Sequence, residues 1–184
     1  MDKQVLKETS KFLSYVLRHK PDTIGLILDE HGWATVDELL ACAAESGRKL
    51  SVALLHRVVQ ESDKQRFIFD ADQTRIRANQ GHSISVDLEL EPIQPPTYLF
   101  HGTARRFIPS IRERGLVKGE RQQVHLSGNS TTASQVGQRH GKPVVLTVRA
   151  EQMADAGHLF YRSQNDVWLT DGVPSHFIDW TCVD

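Results

Sequence analysis

The chain has 184 residues, of which 39% are hydrophobic and 24% are charged, and its formal net charge is −1. This composition is typical of a globular protein with a packed core and excludes a disordered or low-complexity chain. The near-neutral charge argues against a protein that coats nucleic acid by bulk electrostatics, so any such contact must be local. The length allows one large domain or two small ones.

Membrane insertion and a cysteine-based framework are both disfavoured. No apolar run approaches the roughly 18 to 20 residues that cross a bilayer, and the polar opening MDKQVLKETS is unlike a signal peptide. We therefore expect a cytoplasmic protein with no membrane partner. Cys42 and Cys182 lie far apart with no metal-ligand spacing, so we expect two reduced thiols rather than a disulfide or a structural zinc site.

The first predicted element is a helix that ends before Pro21 and places Arg18 and His19 at its C-terminal end. Its apolar positions recur at the spacing of one helix face. They are Val5, Leu6, Phe12, Leu13, Val16 and Leu17.

Two further helices are predicted from their start signals. Thr35 and Glu38 form a capping box that begins the second helix, which Gly47 closes. Ser51 begins the third. The apolar positions of this third helix are Leu54, Leu55, Val58 and Val59.

A β-hairpin is predicted next, from Arg66–Phe69 and Arg75–Ala78 joined by the polar turn Asp70–Thr74. Three helices followed by a hairpin suggest a winged-helix lobe. Alternating apolar residues predict one more strand, at Ile84, Val86, Leu88 and Leu90. The proline-rich segment Glu91–Pro96 is the predicted linker.

The second half is predicted to be an α+β lobe with short strands. Residues 105–114 and 131–140 are predicted as helices that end near Gly115 and Gly141. The predicted strands are Tyr98–Phe100, Val124–Leu126, Pro143–Val148 and Val167–Leu169.

Several common active-site motifs are absent from the sequence. It contains no GxGxxG and no GxxxxGK[ST], so neither a Rossmann dinucleotide site nor a P-loop is supported. It also contains no GxSxG or HExxH, which removes the commonest hydrolase interpretations.

Two cationic segments in the first half could handle a phosphate. Arg18 and His19 combine a permanent cation with a group that titrates near neutrality, although a helix end stabilised by positive charge is the more frequent explanation of such a pair. The segment Arg75–Ser83 leads from a strand into a glycine-containing turn. It could hold a phosphodiester or be an ordinary turn.

Two histidines in the second half lie on predicted strands. His101-Gly102-Thr103 ends a strand, where Gly102 would let a ligand approach the backbone. His125 stands between apolar neighbours, where a hydrogen-bonded core histidine is the usual explanation. Each feature alone leaves its function open.

Together, these segments closely resemble the KptA-type RNA 2′-phosphotransferases over nearly the whole chain. The matching strings occur in the family's order and are long enough to be specific. They are Leu13–His19, Asp29–Trp33, Lys64–Phe67, Ile76–Ser83, His101–Thr103, Val124–Ser127 and Val167–Thr170.

The resemblance implies a winged-helix RNA-binding lobe at residues 1–92 and an NAD-binding, ADP-ribosyltransferase-like lobe at residues 97–184. It also implies a transferase that moves an internal RNA 2′-phosphate to NAD in two steps. An ADP-ribosylated 2′-phosphate is the intermediate. The products are 2′-OH RNA, ADP-ribose 1″,2″-cyclic phosphate and nicotinamide.

The resemblance also assigns roles to individual residues. The catalytic residues are Arg18, His19, Arg66 and Arg121, with Arg139 as a rival for the last place. The NAD-binding residues are His101, Gly102, Thr103, His125, Ser127 and Val167. The RNA-binding residues are Arg77, Gln80, Gly81, His82 and Ser83. Gln123 and Asp166 depart from the histidine and glycine that are usual in the family.

The predicted partners are 2′-phosphorylated RNA, which a tRNA splice junction would supply, and NAD, which is consumed. The scheme requires no metal, and a monomer is expected. Two alternatives remain open: an ADP-ribosyltransferase that modifies terminal phosphates of nucleic acid, and a winged-helix regulator that senses NAD without chemistry. The third helix has Arg57 as its only permanent cation, which disfavours sequence-specific duplex binding by such a regulator.

Overall fold

A computed structural model of the chain describes residues 3–62 and 64–181. Within this part Cys42 is a free thiol, as predicted, whereas Cys182 lies outside the described residues. The chain divides into two compact units, one reaching to Glu89 and the other starting at Leu90. The fold is mixed α+β, with helices first and antiparallel sheets in both units, as expected for the α+β class.

The first unit contains three helices and three short strands. In chain order they are α1 (Lys3–Arg18), β1 (Ala34–Thr35), α2 (Val36–Glu45), α3 (Val52–Gln60), β2 (Phe67–Phe69) and β3 (Arg75–Ala78), with a short 3-10 helix at Pro21–Ile24. All three predicted helices are present.

Local sequence explains where these helices start. The Thr35 hydroxyl accepts the amide of Glu38 at 3.2 Å and donates to its carboxylate at 2.8 Å, which completes the capping box before α2. The Ser51 hydroxyl accepts the amide of Leu54 at the start of α3. Apolar faces of the three helices then pack with Phe67 and other residues of the small sheet into one core.

The predicted hairpin is present as β2 and β3, and β1 adds a third strand in the order β1-β3-β2. Asp70 organises the turn, because one of its carboxylate oxygens accepts the amides of Thr74 and Arg75. These bonds, with a side-chain contact from Arg75, lower the pKa of Asp70 to about 2. A carboxylate that stays charged thus fixes the five-residue connection.

The strand predicted at residues 84–90 is wrong. This segment is extended, and its side chains alternate between half-buried and exposed, but it forms no strand ladder. The amide of Asp87 donates to Glu30, and Glu89 then takes a positive φ of 55° that interrupts extended geometry. Alternating apolar residues indicate that an extended segment packs along one side. They do not show that the segment pairs with a neighbouring strand.

The second unit carries most of the strands. In chain order its elements are β4 (Tyr98–Ala104), α4 (Ile108–Arg114), β5 (Leu116–Val117), β6 (Val124–Ser127), α5 (Ser130–Gly137), β7 (Pro143–Arg149), α6 (Ala150–Asp155), β8 (Tyr161–Arg162), β9 (Val167–Thr170), β10 (Gly172–Val173) and β11 (Ile178–Asp179). Short 3-10 helices precede α4 and follow α5.

Six of these strands form one antiparallel sheet in the order β11-β7-β4-β6-β9-β8, and β10 pairs with β5 in a separate ladder. An apolar core lies against the large sheet and includes Leu99, Leu146 and Trp168. The two predicted helices of this half are present, each divided into a 3-10 part and an α-helical part.

The strand predicted to end at Phe100 continues to Ala104. Every residue from Tyr98 to Ala104 pairs with β7, so His101 lies inside a central strand rather than in a loop. The prediction failed here because a glycine was taken as a strand end. The sheet accepts Gly102 because α5 requires it: a Cβ at that position would lie 1.7 Å from the carbonyl oxygen of Ala133.

Candidate active site

Arg18 connects the end of α1 to the start of β2. Its Nη2 donates to the carbonyl oxygen of Arg66 at 3.3 Å, and its guanidinium lies 5.8 Å from the ring centre of Phe67. The same carbonyl accepts the amide of Asn79 at 2.9 Å. Arg66 therefore sits at a junction of helix end, strand start and following turn, where two arginines come close together.

His19 follows directly and is held by the turn after β3. Its Nδ1 lies 2.9 Å from the Ser83 hydroxyl, and the Ser83 amide donates to the carbonyl of Arg18 at 2.9 Å. A serine hydroxyl can donate to a neutral imidazole or accept from a protonated one. His19 can therefore gain or lose a proton without losing this contact, while its ring orientation is kept.

Behind these groups the structure buries two residues that the sequence placed at the RNA. His82 is 2% exposed, and neither ring nitrogen has a hydrogen-bond partner among the residues that the structure describes. Burial, helped by the nearby charges of Arg18, His19 and Arg77, lowers the pKa of His82 to about 4. A neutral imidazole thus fills the space behind the cations.

Arg77 is also buried, at 8% exposure. Its Nη1 donates to the carbonyl of His31 at 3.3 Å, and its guanidinium stacks over Trp33 at 4.4 Å. Burial lowers the pKa of Arg77. These contacts hold the Arg77 side chain against the segment that contains His31 and Trp33. Gln80 and Gly81, in the turn after β3, are half-buried.

In the second unit, two histidines lie on the neighbouring strands β4 and β6. Nδ1 of His101 lies 3.0 Å from the carbonyl oxygen of His125. A carbonyl can only accept, so this nitrogen carries the proton and Nε2 is the acceptor of the neutral ring. The backbone of one histidine thereby sets the tautomer of the other.

Arg121 sets the tautomer of His125 in turn. Its Nη1 lies 2.6 Å from Nδ1 of His125, and a guanidinium can only donate, so Nδ1 accepts and Nε2 carries the proton. Desolvation lowers the pKa of Arg121, which still remains a cation near neutral pH. The rival Arg139 is an exposed residue of the 3-10 helix after α5.

The remaining predicted NAD residues lie on or beside the same sheet. Ser127 pairs with Val167, and both are half-buried. Thr103 is buried on β4, and the side of Gly102 where a Cβ would lie faces α5. The contact of Gly102 with NAD stays a prediction, and only the backbone of Gly102 could make it.

The turn before Val167 explains one departure from the family pattern. Asp166 has a φ of 62°, a left-handed conformation that glycine adopts without cost, and its carboxylate pairs with Arg162 at 2.9 Å. The hydroxyl of buried Ser163 contacts both the amide and the carbonyl of Val167. An acid in place of glycine thus takes the left-handed conformation that this turn requires.

Sequence reasoning gave no role to Asn79 or Ser163, each of which forms hydrogen bonds in a turn beside candidate site residues of its own unit. Asn79 is 5% exposed, and its side-chain amide donates to the carbonyl of Gln65, which has a φ of 39°. For Asn79, the sequence signal that could have indicated this role is a polar residue directly after a strand. Within residues 3–62 and 64–181, no three histidine, cysteine or acidic side chains group as a metal site would.

In the first unit, the guanidinium of Arg18 contacts the backbone of Arg66 and lies next to His19, and arginine and histidine side chains can bind a phosphate group. In the second unit, the tautomers of two histidines are fixed by their neighbours. A family model described as RNA 2′-phosphotransferase, Tpt1/KptA family, matches residues 4–172. The chain therefore belongs to the Tpt1/KptA family of RNA 2′-phosphotransferases, as the resemblance indicated.

Full-length relatives agree with this assignment. A protein of Pseudomonas aeruginosa named "Probable RNA 2′-phosphotransferase" is 56% identical over 179 residues, which cover 97% of this chain and 98% of that protein. A protein of the same name from Agrobacterium fabrum is 60% identical over 170 residues, covering 92% and 91%. One from Escherichia coli (strain 536) is 52% identical over 176 residues, covering 95% and 96%.

Proposed function

We propose that this protein transfers an internal RNA 2′-phosphate to NAD in two steps, through an ADP-ribosylated 2′-phosphate. The products are 2′-OH RNA, ADP-ribose 1″,2″-cyclic phosphate and nicotinamide. Family membership supplies the reaction class and implies NAD dependence. The observation that carries the residue assignment is the junction where Arg18, His19 and Arg66 come together at the end of α1.

In the first step the RNA 2′-phosphate is the nucleophile, and it is already an anion. It needs cations that hold it in position rather than a base that removes a proton. Arg18 and Arg66 supply these cations, and a guanidinium can bind two phosphate oxygens at once. When bound, NAD supplies an electrophilic ribose carbon and nicotinamide as the leaving group.

The two histidines of the large sheet fit a nicotinamide nucleotide. His101 presents an acceptor at Nε2 and His125 a donor at Nε2, because the tautomers of both rings are fixed from behind. Hydroxyl and carboxamide groups, which both donate and accept, match such a pair. We assign Gly102, Thr103, Ser127 and Val167 to the same site and interpret the second unit as ADP-ribosyltransferase-like.

In the second step a ribose hydroxyl attacks phosphorus and the RNA 2′-oxygen leaves, so a proton must move. His19 suits this task because the Ser83 hydroxyl can follow either protonation state of its ring. Arg18, Arg66 and Arg121 stabilise the charge that builds on the phosphoryl oxygens. Ser83 is a positioning residue in this scheme.

Arg121 is favoured over Arg139 as the fourth catalytic residue. The supporting observation is the contact of Arg121 with His125, a residue assigned to NAD, whereas Arg139 is exposed beyond α5. The first unit, with three helices and a hairpin, is interpreted as the winged-helix RNA lobe.

The contacts of α3 argue against the alternative of a winged-helix regulator. Arg57, its one permanent cation, pairs with Glu61 at 2.7 Å, and His56 stacks on Phe69. A recognition helix needs side chains available to base edges. The helix therefore lacks a cation that is available for reading a duplex.

The proposal is tested by incubating the protein with NAD and an oligonucleotide that carries one internal 2′-phosphate, followed by mass spectrometry of the products. We expect equal amounts of 2′-OH RNA, cyclic phosphate and nicotinamide. Accumulation of ADP-ribosylated RNA alone would favour the terminal-phosphate ADP-ribosyltransferase. Absence of nicotinamide release would overturn both enzymatic assignments.

A further inference from the structure

A groove lies along one face of α1 in the first unit and reaches residues of the proposed phosphate site. Its volume is about 520 Å³, and its lining runs from Leu6 and Lys7 near the start of the helix to His19 after its end. Val58 of α3 and Arg66 before β2 contribute the other wall. The groove is thus continuous with the groups proposed to hold the 2′-phosphate.

The groove is strongly cationic, although the whole chain has a net charge of −1. Its permanent cations are Lys7, Lys11, Lys64 and Arg66. Among the lining residues that the structure describes, Glu61 is the one carboxylate, and it is paired with Arg57. This concentration of positive charge in the groove favours binding of an anion that is long enough to contact several lysines.

The spacing along α1 repeats with the helix. Lys7, Lys11 and Tyr15 are four residues apart, so they lie on one face at intervals of about 6 Å. All three are exposed, and Tyr15 keeps 46% of its surface accessible. An exposed aromatic ring that follows two lysines in a groove is the pattern of a surface that stacks a base and neutralises a phosphate backbone.

We propose that this groove binds the single-stranded RNA that flanks the 2′-phosphorylated nucleotide. Lys7 and Lys11 contact backbone phosphates, and Tyr15 stacks on a flanking base. Single-stranded rather than duplex RNA is specified, because only unpaired bases offer a free face to a tyrosine ring. This inference rests on the proposed function, since it takes Arg66 and His19 as the end of the groove that holds the 2′-phosphate.

The test compares two kinds of substrate in the presence of NAD. One is a single nucleotide with a 2′-phosphate, and the others are RNAs of about ten nucleotides extended on either the 5′ or the 3′ side. The variant is Lys7→Gln/Lys11→Gln, and the matched control is Lys49→Gln/Lys142→Gln, which removes two exposed lysines outside the groove. Glutamine keeps the helix propensity of lysine, so α1 should fold normally.

The measured quantity is the ratio of kcat/KM for an extended RNA to kcat/KM for the single nucleotide. In the groove variant we expect this ratio to fall about tenfold for one of the two extended RNAs. In the control it should keep the parental value. The salt dependence of kcat/KM should also become shallower by about 1.4 in log–log slope, because each single-strand phosphate contact contributes about 0.7.

Tyr15 provides a separate readout, because stacking requires a ring rather than a hydroxyl. Tyr15→Ala should lower the same ratio by about tenfold, and Tyr15→Phe should restore it. A ratio lowered equally by both substitutions would contradict stacking.

The two proposals fail in different ways. If the parent protein releases no nicotinamide with any of these substrates, the proposed function fails and the groove inference fails with it. If the parent is active but the groove variant keeps the parental ratio with both the 5′- and the 3′-extended RNA, the groove inference alone is overturned.

Discussion

The two units hold their candidate functional side chains in different ways. In the first unit, Arg18 and His19 stand where α1 ends, and each is tied to a loop residue or to a carbonyl distant in sequence. In the second, His101 and His125 lie within paired strands, and their ring tautomers follow from neighbouring groups. The first arrangement fixes where positive charge is placed, and the second fixes the direction of hydrogen bonds.

This comparison predicts the largest effect for loss of a phosphate-holding cation. Arg66→Ala should lower kcat for 2′-phosphorylated RNA by about a thousandfold or more, because arginines at a transferring phosphoryl group have effects of this size. The rate of nicotinamide release measures it, with circular dichroism to confirm folding. Arg48→Ala, which removes an arginine of the same unit that lies over Phe12 and outside the groove, is the control and should keep near-parental activity. Parental turnover by Arg66→Ala would refute the assignment.

For the second unit the largest predicted effect is on folding. Gly102→Ala should lower the free energy of unfolding by about 3 kcal/mol or more, because the new Cβ would lie 1.7 Å from the carbonyl oxygen of Ala133 in α5. Urea denaturation measures this value. Gly128→Ala is the control, since its Cβ would lie 3.9 Å from the nearest atom, and it should change stability by less than about 1 kcal/mol. Equal stability of the two variants would contradict the close packing of α5.

Gly102 also shows what the sequence could not supply. Helix starts follow from local chemistry, so Thr35 and Ser51 predicted α2 and α3 correctly. Strand ends depend on partners that are distant in sequence, and β7 pairs with β4 well beyond Phe100. A glycine within a strand has the same local pattern as one that ends it, and only the position of α5 decides between them.

The candidate site residues show the same difference between what the sequence identifies and what only packing decides. The family strings identified Arg18, His19 and Arg66, which the structure brings together. They did not reveal that Arg77 and His82 are buried behind them, because burial arises from packing of the turn against Trp33 and the end of α1. The sequence likewise did not show why glycine is expected at position 166. The structure gives the reason, because Asp166 has a positive φ.

His82 offers a pH-dependent test of the first unit. Its pKa is about 4 when folded and is taken as 6.5 when unfolded, so above pH 6.5 the ring is neutral in both states. As the pH falls from 6.5 to 4, the unfolded ring takes up a proton and the buried ring does not. The free energy of unfolding should therefore decrease by up to about 3 kcal/mol over this window.

His82→Gln should remove this contribution and flatten the dependence of stability on pH between 6.5 and 4. Urea denaturation at several pH values measures the slope in the parent and in the variant, so titrating carboxylates common to both cancel. An NMR titration that gave the folded His82 ring a pKa near 6.5 would contradict its burial as a neutral group.

The smallest predicted effect concerns hydrogen-bond direction in the second unit. Arg121→Gln replaces a side chain that can only donate to Nδ1 of His125 with one that can donate or accept, so the tautomer of His125 is no longer fixed. We expect NAD affinity to fall about tenfold by calorimetry, and nitrogen NMR to show a mixture of His125 tautomers. Arg139→Gln is the matched control. If Arg139→Gln weakened NAD binding and Arg121→Gln did not, the assignment of Arg121 would be wrong and Arg139 would take its place.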